Sequence, residues 1–204
     1  EFGAPTEDVP ERLRRVMLRR LKKDVLKDLP PKTYSTMEVE ISSRGLLRDL
    51  DSKFEDYGDV FEAGCLPPFE EFSAIRAALA ADRIPAMLEV VESHEDSGDP
   101  LLVFSYHQAP IKALVGREGW AVITGGTSNV ERDRIVEDFQ AGRLKGVGLT
   151  IRAAGVGLTL TRASHSLFVD LDWVPTWNIQ AEDRIHRIGQ TSDHVQITRM
   201  VSNH

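Results

Sequence analysis

Residues 101–106, Leu-Leu-Val-Phe-Ser-Tyr, make a short apolar run held between Pro100 and a polar stretch, and they constrain the fold more than any other part of the chain. The run is too short for a buried helix, and its lack of alternation marks a strand covered on both faces, as in a parallel sheet. Parallel neighbours need long crossover connections. The sequence beyond supplies them: a helix over about 109–117, a strand over 120–124, a helix over 130–140 with Ser128 or Asn129 as its cap, and strands over 146–151 and 166–171. A helix over 178–188 and a last strand over 195–201 follow. Strands alternating with helices at this spacing predict an α/β fold with a mainly parallel sheet and helices on both faces.

The first hundred residues are organised differently. Over 10–26, apolar side chains at Leu13, Val16, Met17, Leu18, Leu21, Val25 and Leu26 recur at helical spacing among arginines and lysines, which predicts a basic amphipathic helix stopped by Pro30 and Pro31. The alternation through Tyr34, Thr36, Met37, Val39 and Ile41 predicts a strand. Helices are expected from a cap at Ser42 or Ser43 to about residue 57, then over 70–81 and 84–93, with 58–68, including Cys65, read as a loop. His94 falls in a polar turn beside Glu92, Glu95 and Asp96. With no second histidine at ligand spacing, it reads as part of a solvated turn and not as a metal ligand.

Length and charge narrow the function. The 204 residues suit one well-buried domain. A formal net charge of −7 excludes DNA binding by bulk electrostatics alone, so any nucleic-acid contact must be local. Cys65 is the only cysteine, which excludes an intrachain disulfide and a cysteine-cluster zinc site. No apolar run approaches the roughly twenty residues needed to span a bilayer, and no signal-peptide pattern opens the chain. The expected place is therefore cytoplasmic in a bacterium or nuclear in a eukaryote, without secretion. Both ends read as cut, since Glu1 is not an initiator methionine and the chain stops directly after a strand.

Chemistry concentrates in three stretches. In Gln180–Gln190, QAEDRIHRIGQ, Arg184 and Arg187 stand three apart and would leave one face of a helix ending at Gly189, with Glu182 and Asp183 in its first turns. Paired guanidinium forks suit phosphate oxygens, although a solvated helix with local ion pairs fits the same spacing. Leu149–Leu160, LTIRAAGVGLTL, follows a strand, and Gly155 and Gly157 would let the backbone approach an anion; a plain structural turn reads equally well. It is not a Walker A loop, since no lysine followed by serine or threonine comes after the glycines. Trp173 at the end of a strand suits either a stacking platform or a core aromatic.

QAEDRIHRIGQ resembles the sixth helicase motif of the SWI/SNF-type DNA-dependent ATPases, the chromatin-remodelling and DNA-translocating branch of helicase superfamily two. LTIRAAGVGLTL resembles the fifth motif, usually Lys-Ala-Gly-Gly-x-Gly-Leu-Asn-Leu, with Arg152, Ala154 and Thr159 at the lysine, first glycine and asparagine places. FVDLDWVP, Phe168–Pro175, is similar to a strand ending in Asp-Trp-Asn-Pro, with Val174 for the asparagine. LLVFSYHQ is similar to the fourth motif, TGGTSNVERDRIVEDFQ to the segment after it, and MLRRLKKDVLKDLPPK, Met17–Lys32, to the inter-lobe linker.

The resemblance implies a RecA-like three-layer sandwich that is the second of two lobes, with residues 1–32 as basic helix and linker and 33–204 as the lobe. Residues 33–99 carry little of the resemblance, and 100–204 carry the motifs. It implies Arg184 and Arg187 as arginine fingers toward ATP, with Gly155, Gly157, Gln180 and Asp183 shaping the nucleotide cleft. Ser105, His107, Thr127, Ser128, Arg152 and Trp173 become candidate contacts to double-stranded DNA. ATP and Mg2+ would be held chiefly by the first lobe, because the chain has neither a Gly-Lys-Thr phosphate loop nor an Asp-Glu-x-His box; alone, it would not hydrolyse ATP. Two rivals stand beside this reading. One is a non-catalytic DNA-docking or protein-interaction module; the other is a sugar-nucleotide transferase using Gly155, Gly157 and the Asp170/Asp172 pair.

Overall fold

The computed structural model describes residues 9–17, 26, 28–62, 69–155 and 157–202. Six strands form one sheet in the order β1-β6-β5-β2-β4-β3, and every pairing is parallel. They are β1 (Lys32–Val39), β2 (Leu101–Ser105), β3 (Trp120–Ile123), β4 (Gly146–Thr150), β5 (His165–Phe168) and β6 (Val195–Ser202). The helices are α1 (Val9–Arg14), α2 (Arg44–Glu62), α3 (Phe69–Asp82), α4 (Ile84–Ser97), α5 (Gln108–Lys112), α6 (Asn129–Gln140), α7 (Ile151–Ala154) and α8 (Pro175–Glu182).

Strand β2 holds the centre, buried at all five positions. Its pleat sends Leu102 and Phe104 to one face and Leu101 and Val103 to the other. On the first face they meet Ile135 and Phe139 of α6, Ile151 of α7 and Ala181 of α8. On the second they meet Met87 and Val91 of α4 and Ile111 of α5. Phe104 stacks on Phe168 with ring centroids 4.9 Å apart. Each such fully buried side chain contributes about 1.5–3 kcal/mol, so two packed faces hold the strand far more firmly than propensity does. The three layers and the α/β class agree with the sequence reading, and the sheet is wholly parallel.

Several local expectations need correction. The polar turn expected from residue 94 is helical through Ser97, and Gly98 closes α4 at φ 75°. His94 therefore sits on a helix, and His165 of β5 lies 2.8 Å from it, Nδ1 to Nε2; sequence spacing could not show a partner 71 residues away. The helix after β2 is shorter than expected, and α2 runs on to Glu62. Of the helix expected over 10–26, residues 10–14 are helical and 15–17 turn out of it, so it stops earlier than the periodicity predicts; much of its remainder, and Cys65, lie outside the described residues. Strand β1 pairs along its whole length with β6, Lys32 opposite Val195, which brings the start of the described lobe against its end. Among the described residues no helix is long and apolar enough to cross a membrane.

Candidate functional site

Because all strands run the same way, their carboxyl ends share one rim, where ligands of open α/β sheets bind. The ends of β2, β3, β4 and β5 place Ser105 and His107, Thr127 and Ser128, Arg152, and Trp173 along it.

The arginine segment differs from the helix expected. Pro175 starts α8 early, and Asn178 is occupied in exchanging hydrogen bonds with the backbone of Asp172. The helix ends at Glu182, so Glu182 and Asp183 stand at its carboxyl end and not in its first turns, and Arg184 and Arg187 leave a run of tight turns. Gly189 has φ 99°, ending a turn and not a helix. Carboxylates at the negative end of a helix need other cations. Glu182, 2% exposed, takes them from Lys32 (3.2 Å) and Arg199 (2.7 Å) and accepts the Tyr34 hydroxyl at 3.0 Å. Burial, with the Glu182 charge beside it, pushes the Tyr34 hydroxyl pKa up.

The two arginines of the turn bond backbone carbonyls. Arg184, buried, donates from Nε to the Gln180 carbonyl at 3.0 Å and from Nη1 to the Leu158 carbonyl at 3.4 Å. Arg187, exposed, donates from Nη1 to the Gly157 carbonyl at 3.1 Å and to the same Leu158 carbonyl at 3.4 Å. Among the described residues neither pairs with a carboxylate. Burial and then the Arg187 charge hold Arg184 below its usual range, with Asp183 only partly offsetting them. Asp183 itself bonds Lys32 at 3.2 Å, and Gln180 is half-buried.

The glycine loop does two jobs. Gly157 has φ 53°, and its carbonyl meets Arg187. Gly155 is in the ordinary helical region, but a Cβ there would lie 2.8 Å from the Trp177 ring, so it is close packing by α8 that requires glycine.

The polar residues of the rim are tied to one another. Ser105 is fully buried, its hydroxyl within reach of both Asp170 Oδ1 and the His107 carbonyl, so the direct DNA contact expected of it is closed off. His107 is half-buried with Nδ1 2.6 Å from Asp170 Oδ2, and the Tyr106 amide donates to Asp170 Oδ1 at 2.9 Å. Thr127 accepts the Thr124 amide at 2.9 Å, and Ser128 caps α6 by accepting from the Glu131 amide, while Ser128 stays exposed. Arg152 is 60% exposed and holds Asp172 Oδ2 at 2.9 Å, which raises its pKa. Trp173 is 42% exposed, with the Arg76 guanidinium 4.1 Å from its ring centroid. Asp170 and Asp172, 6% and 4% exposed, are spent on these partners, which argues against an open metal-binding pair. Among the described residues no group of three His, Cys, Asp or Glu side chains gathers as a metal site.

Sequence reasoning missed three arginines. Arg132, buried, donates to the carbonyls of Thr127 and Thr124, both at 3.0 Å, and so holds the loop that presents Ser128; its place in the Glu-Arg pair at the start of α6 was the available signal. Arg76 donates to the Leu171 carbonyl and Arg83 to the Val169 carbonyl at 2.7 Å, bracing the end of β5 from the other face. Both lie in the part of the chain that carries little of the resemblance, and no local pattern marks them.

Residues 82–189 match the helicase conserved C-terminal domain. The human DNA annealing helicase and endonuclease ZRANB3 is 32% identical over 205 residues, covering 92% of this chain and 18% of that protein. The SWI/SNF-related matrix-associated actin-dependent regulator of chromatin subfamily A-like protein 1 of Xenopus tropicalis is 32% identical over 187 residues, covering 87% and 20%. Its Caenorhabditis elegans homolog is 34% identical over 188 residues, covering 87% and 27%. The chain thus spans only 18–27% of the length of these relatives. In fold it is similar to the C-terminal part of the Fun30 ATPase domain, with TM-score 0.60, 17% identity and 86% of both chains covered. It is also similar to the Sulfolobus solfataricus SWI2/SNF2 ATPase core in complex with dsDNA, with TM-score 0.63, 21% identity, 96% of this chain and 47% of that one covered. The matched segment takes in the ends of β2 to β5 and both arginines: the chain belongs to the helicase conserved C-terminal domain family, as a second RecA-like lobe of the SWI/SNF type.

Proposed function

We propose that this lobe is half of an ATP-driven motor that translocates along double-stranded DNA, with the other half, a phosphate-loop lobe of the same parent protein, holding ATP and Mg2+. The observation that carries the reading is the arginine turn. In a chain of net charge −7, two guanidinium groups converge on one carbonyl with no carboxylate partner among the described residues. Charge gathered so, with Asp183 offsetting only part of it, suits an anion supplied from outside. Arg187, exposed, is the group that reaches the γ-phosphate; Arg184, buried and bonded to backbone, holds the turn and adds field. Gly157 and Gly155 set the loop beneath them, Gln180 supplies the carbonyl that anchors Arg184, and Asp183 fixes the turn through Lys32.

DNA lies along the strand-end rim. Ser128, Thr127 and Arg152 meet phosphates, Trp173 packs against the duplex, and Ser105 and His107 act by shaping the loop after β2. That two relatives are named for DNA annealing and for chromatin regulation, and that a fold neighbour was solved on dsDNA, supports this substrate. In the two-lobe protein, Arg187→Ala is expected to leave nucleotide affinity nearly intact and to cut DNA-stimulated turnover by about 10³-fold. Unchanged turnover overturns the finger. The isolated chain should show negligible ATPase; strong DNA-stimulated turnover by it overturns the division of labour. A docking module would instead show salt-dependent DNA binding in the full protein with no effect of ATP.

A further inference from the structure

We infer that residues 30–34 latch the polypeptide leading into β1 onto the arginine turn, so that this segment positions Arg184 and Arg187 when the neighbouring lobe moves. Its effect on turnover rests on the motor reading; the latch itself is a property of this chain. Three attachments, at alternate residues, make it. The Pro30 carbonyl lies 2.8 Å from His186 Nε2. The Lys32 ammonium reaches Glu182 Oε2 and Asp183 Oδ1, each at 3.2 Å. The Tyr34 hydroxyl donates to Glu182 Oε2 at 3.0 Å. Arg199 of β6 closes the cluster, bonding Glu182 Oε1 at 2.7 Å with its guanidinium 5.1 Å from the Tyr34 ring.

The attachments fall on both sides of Arg184: Glu182 and Asp183 before it, His186 after it. They come from residues about 150 positions earlier in the chain. A carboxylate 2% exposed at a helix carboxyl end is costly, and an apolar side chain would fill that space without needing three donors. What the ionic cluster adds is direction, since it fixes the end of α8 against the strand that follows Pro31. Displacing residues 30–34 therefore pulls on the backbone on both sides of Arg184, whose own carbonyl accepts the Leu160 amide at 3.0 Å, while the carbonyls of Gly157 and Leu158 hold the guanidinium ends.

Two measurements test this. On this chain, hydrogen exchange of amides 183–190 is compared for wild type, Lys32→Met, Tyr34→Phe and Lys32→Arg. Lys32→Met and Tyr34→Phe are expected to speed exchange there about tenfold while β2 and β4 amides stay unchanged, and Lys32→Arg to stay near wild type. Unchanged exchange at 183–190, or equal acceleration everywhere, overturns the latch. In the two-lobe protein, Lys32→Met is expected to lower kcat about tenfold with KM for ATP within about twofold, because misplaced catalytic groups slow turnover without releasing nucleotide; Lys32→Arg recovers most of it. Faster exchange with unchanged kcat overturns the positioning role. Absence of DNA-stimulated turnover in the wild-type two-lobe protein overturns the motor reading instead, and the exchange result still decides the latch.

Discussion

Asp170 offers the sharpest test of how the rim is built. It is 6% exposed and accepts from the Tyr106 amide at 2.9 Å, with His107 Nδ1 at 2.6 Å and the Ser105 hydroxyl on its two oxygens. Asp170→Ala strands the Tyr106 amide and His107 Nδ1, while Ser105 can turn to the His107 carbonyl at 2.7 Å. Each half-buried donor so stranded costs about 1–3 kcal/mol, and relief of carboxylate desolvation returns part, leaving a loss of about 2–4 kcal/mol. Asp170→Asn keeps an oxygen for the Tyr106 amide and should cost about 1 kcal/mol, as should Ser105→Ala. Urea unfolding reads these as midpoint shifts at constant slope. Because Ser105 is fully buried, Ser105→Ala should leave DNA affinity of the two-lobe protein within about twofold. A loss below about 1 kcal/mol for Asp170→Ala, or tenfold weaker DNA binding by a Ser105→Ala protein of unchanged stability, refutes the reasoning.

Three further outcomes are expected. Gly155→Ala places a Cβ 2.8 Å from the Trp177 ring and 3.1 Å from the Arg152 carbonyl, which should cost about 1–3 kcal/mol by thermal unfolding; Trp177→Leu should recover part of it, and no recovery would point to the backbone instead. His165 is pushed down to about 4 by burial and then by the His94 charge. A base depressed in the fold stabilises it above the unfolded pKa near 6.5, and that stability is lost as pH falls from there toward 4, by no more than about 3 kcal/mol; the slope in that window should be shallower in His165→Gln. Arg152→Gln should weaken DNA binding by the two-lobe protein and lower the dependence of log affinity on log salt by about one, whereas an unchanged salt slope removes Arg152 from the phosphate contacts.

The sequence alone determined the sheet and the order of its motifs. The run Leu101–Ser105 could satisfy its apolar side chains only between two layers, and the period of the segments after it admitted little but parallel strands with helical crossovers, so the rim that carries Thr127, Ser128, Arg152 and Trp173 was legible from strand ends. The tertiary structure decided which groups there are open and which are spent. Ser105 reads like a surface hydroxyl yet faces Asp170, 65 residues away; Glu182 and Asp183 read as a helix's acidic start yet close its end against Lys32, about 150 residues away. Gly155 reads equally as an anion-facing loop or a plain turn, yet is glycine because Trp177 lies over it. Periodicity and turn chemistry act over a few residues and are written locally, whereas the partner of a charge is set by which crossover passes over which strand: the folded chain brings Lys32 and Arg199 to the acids beside the two arginines.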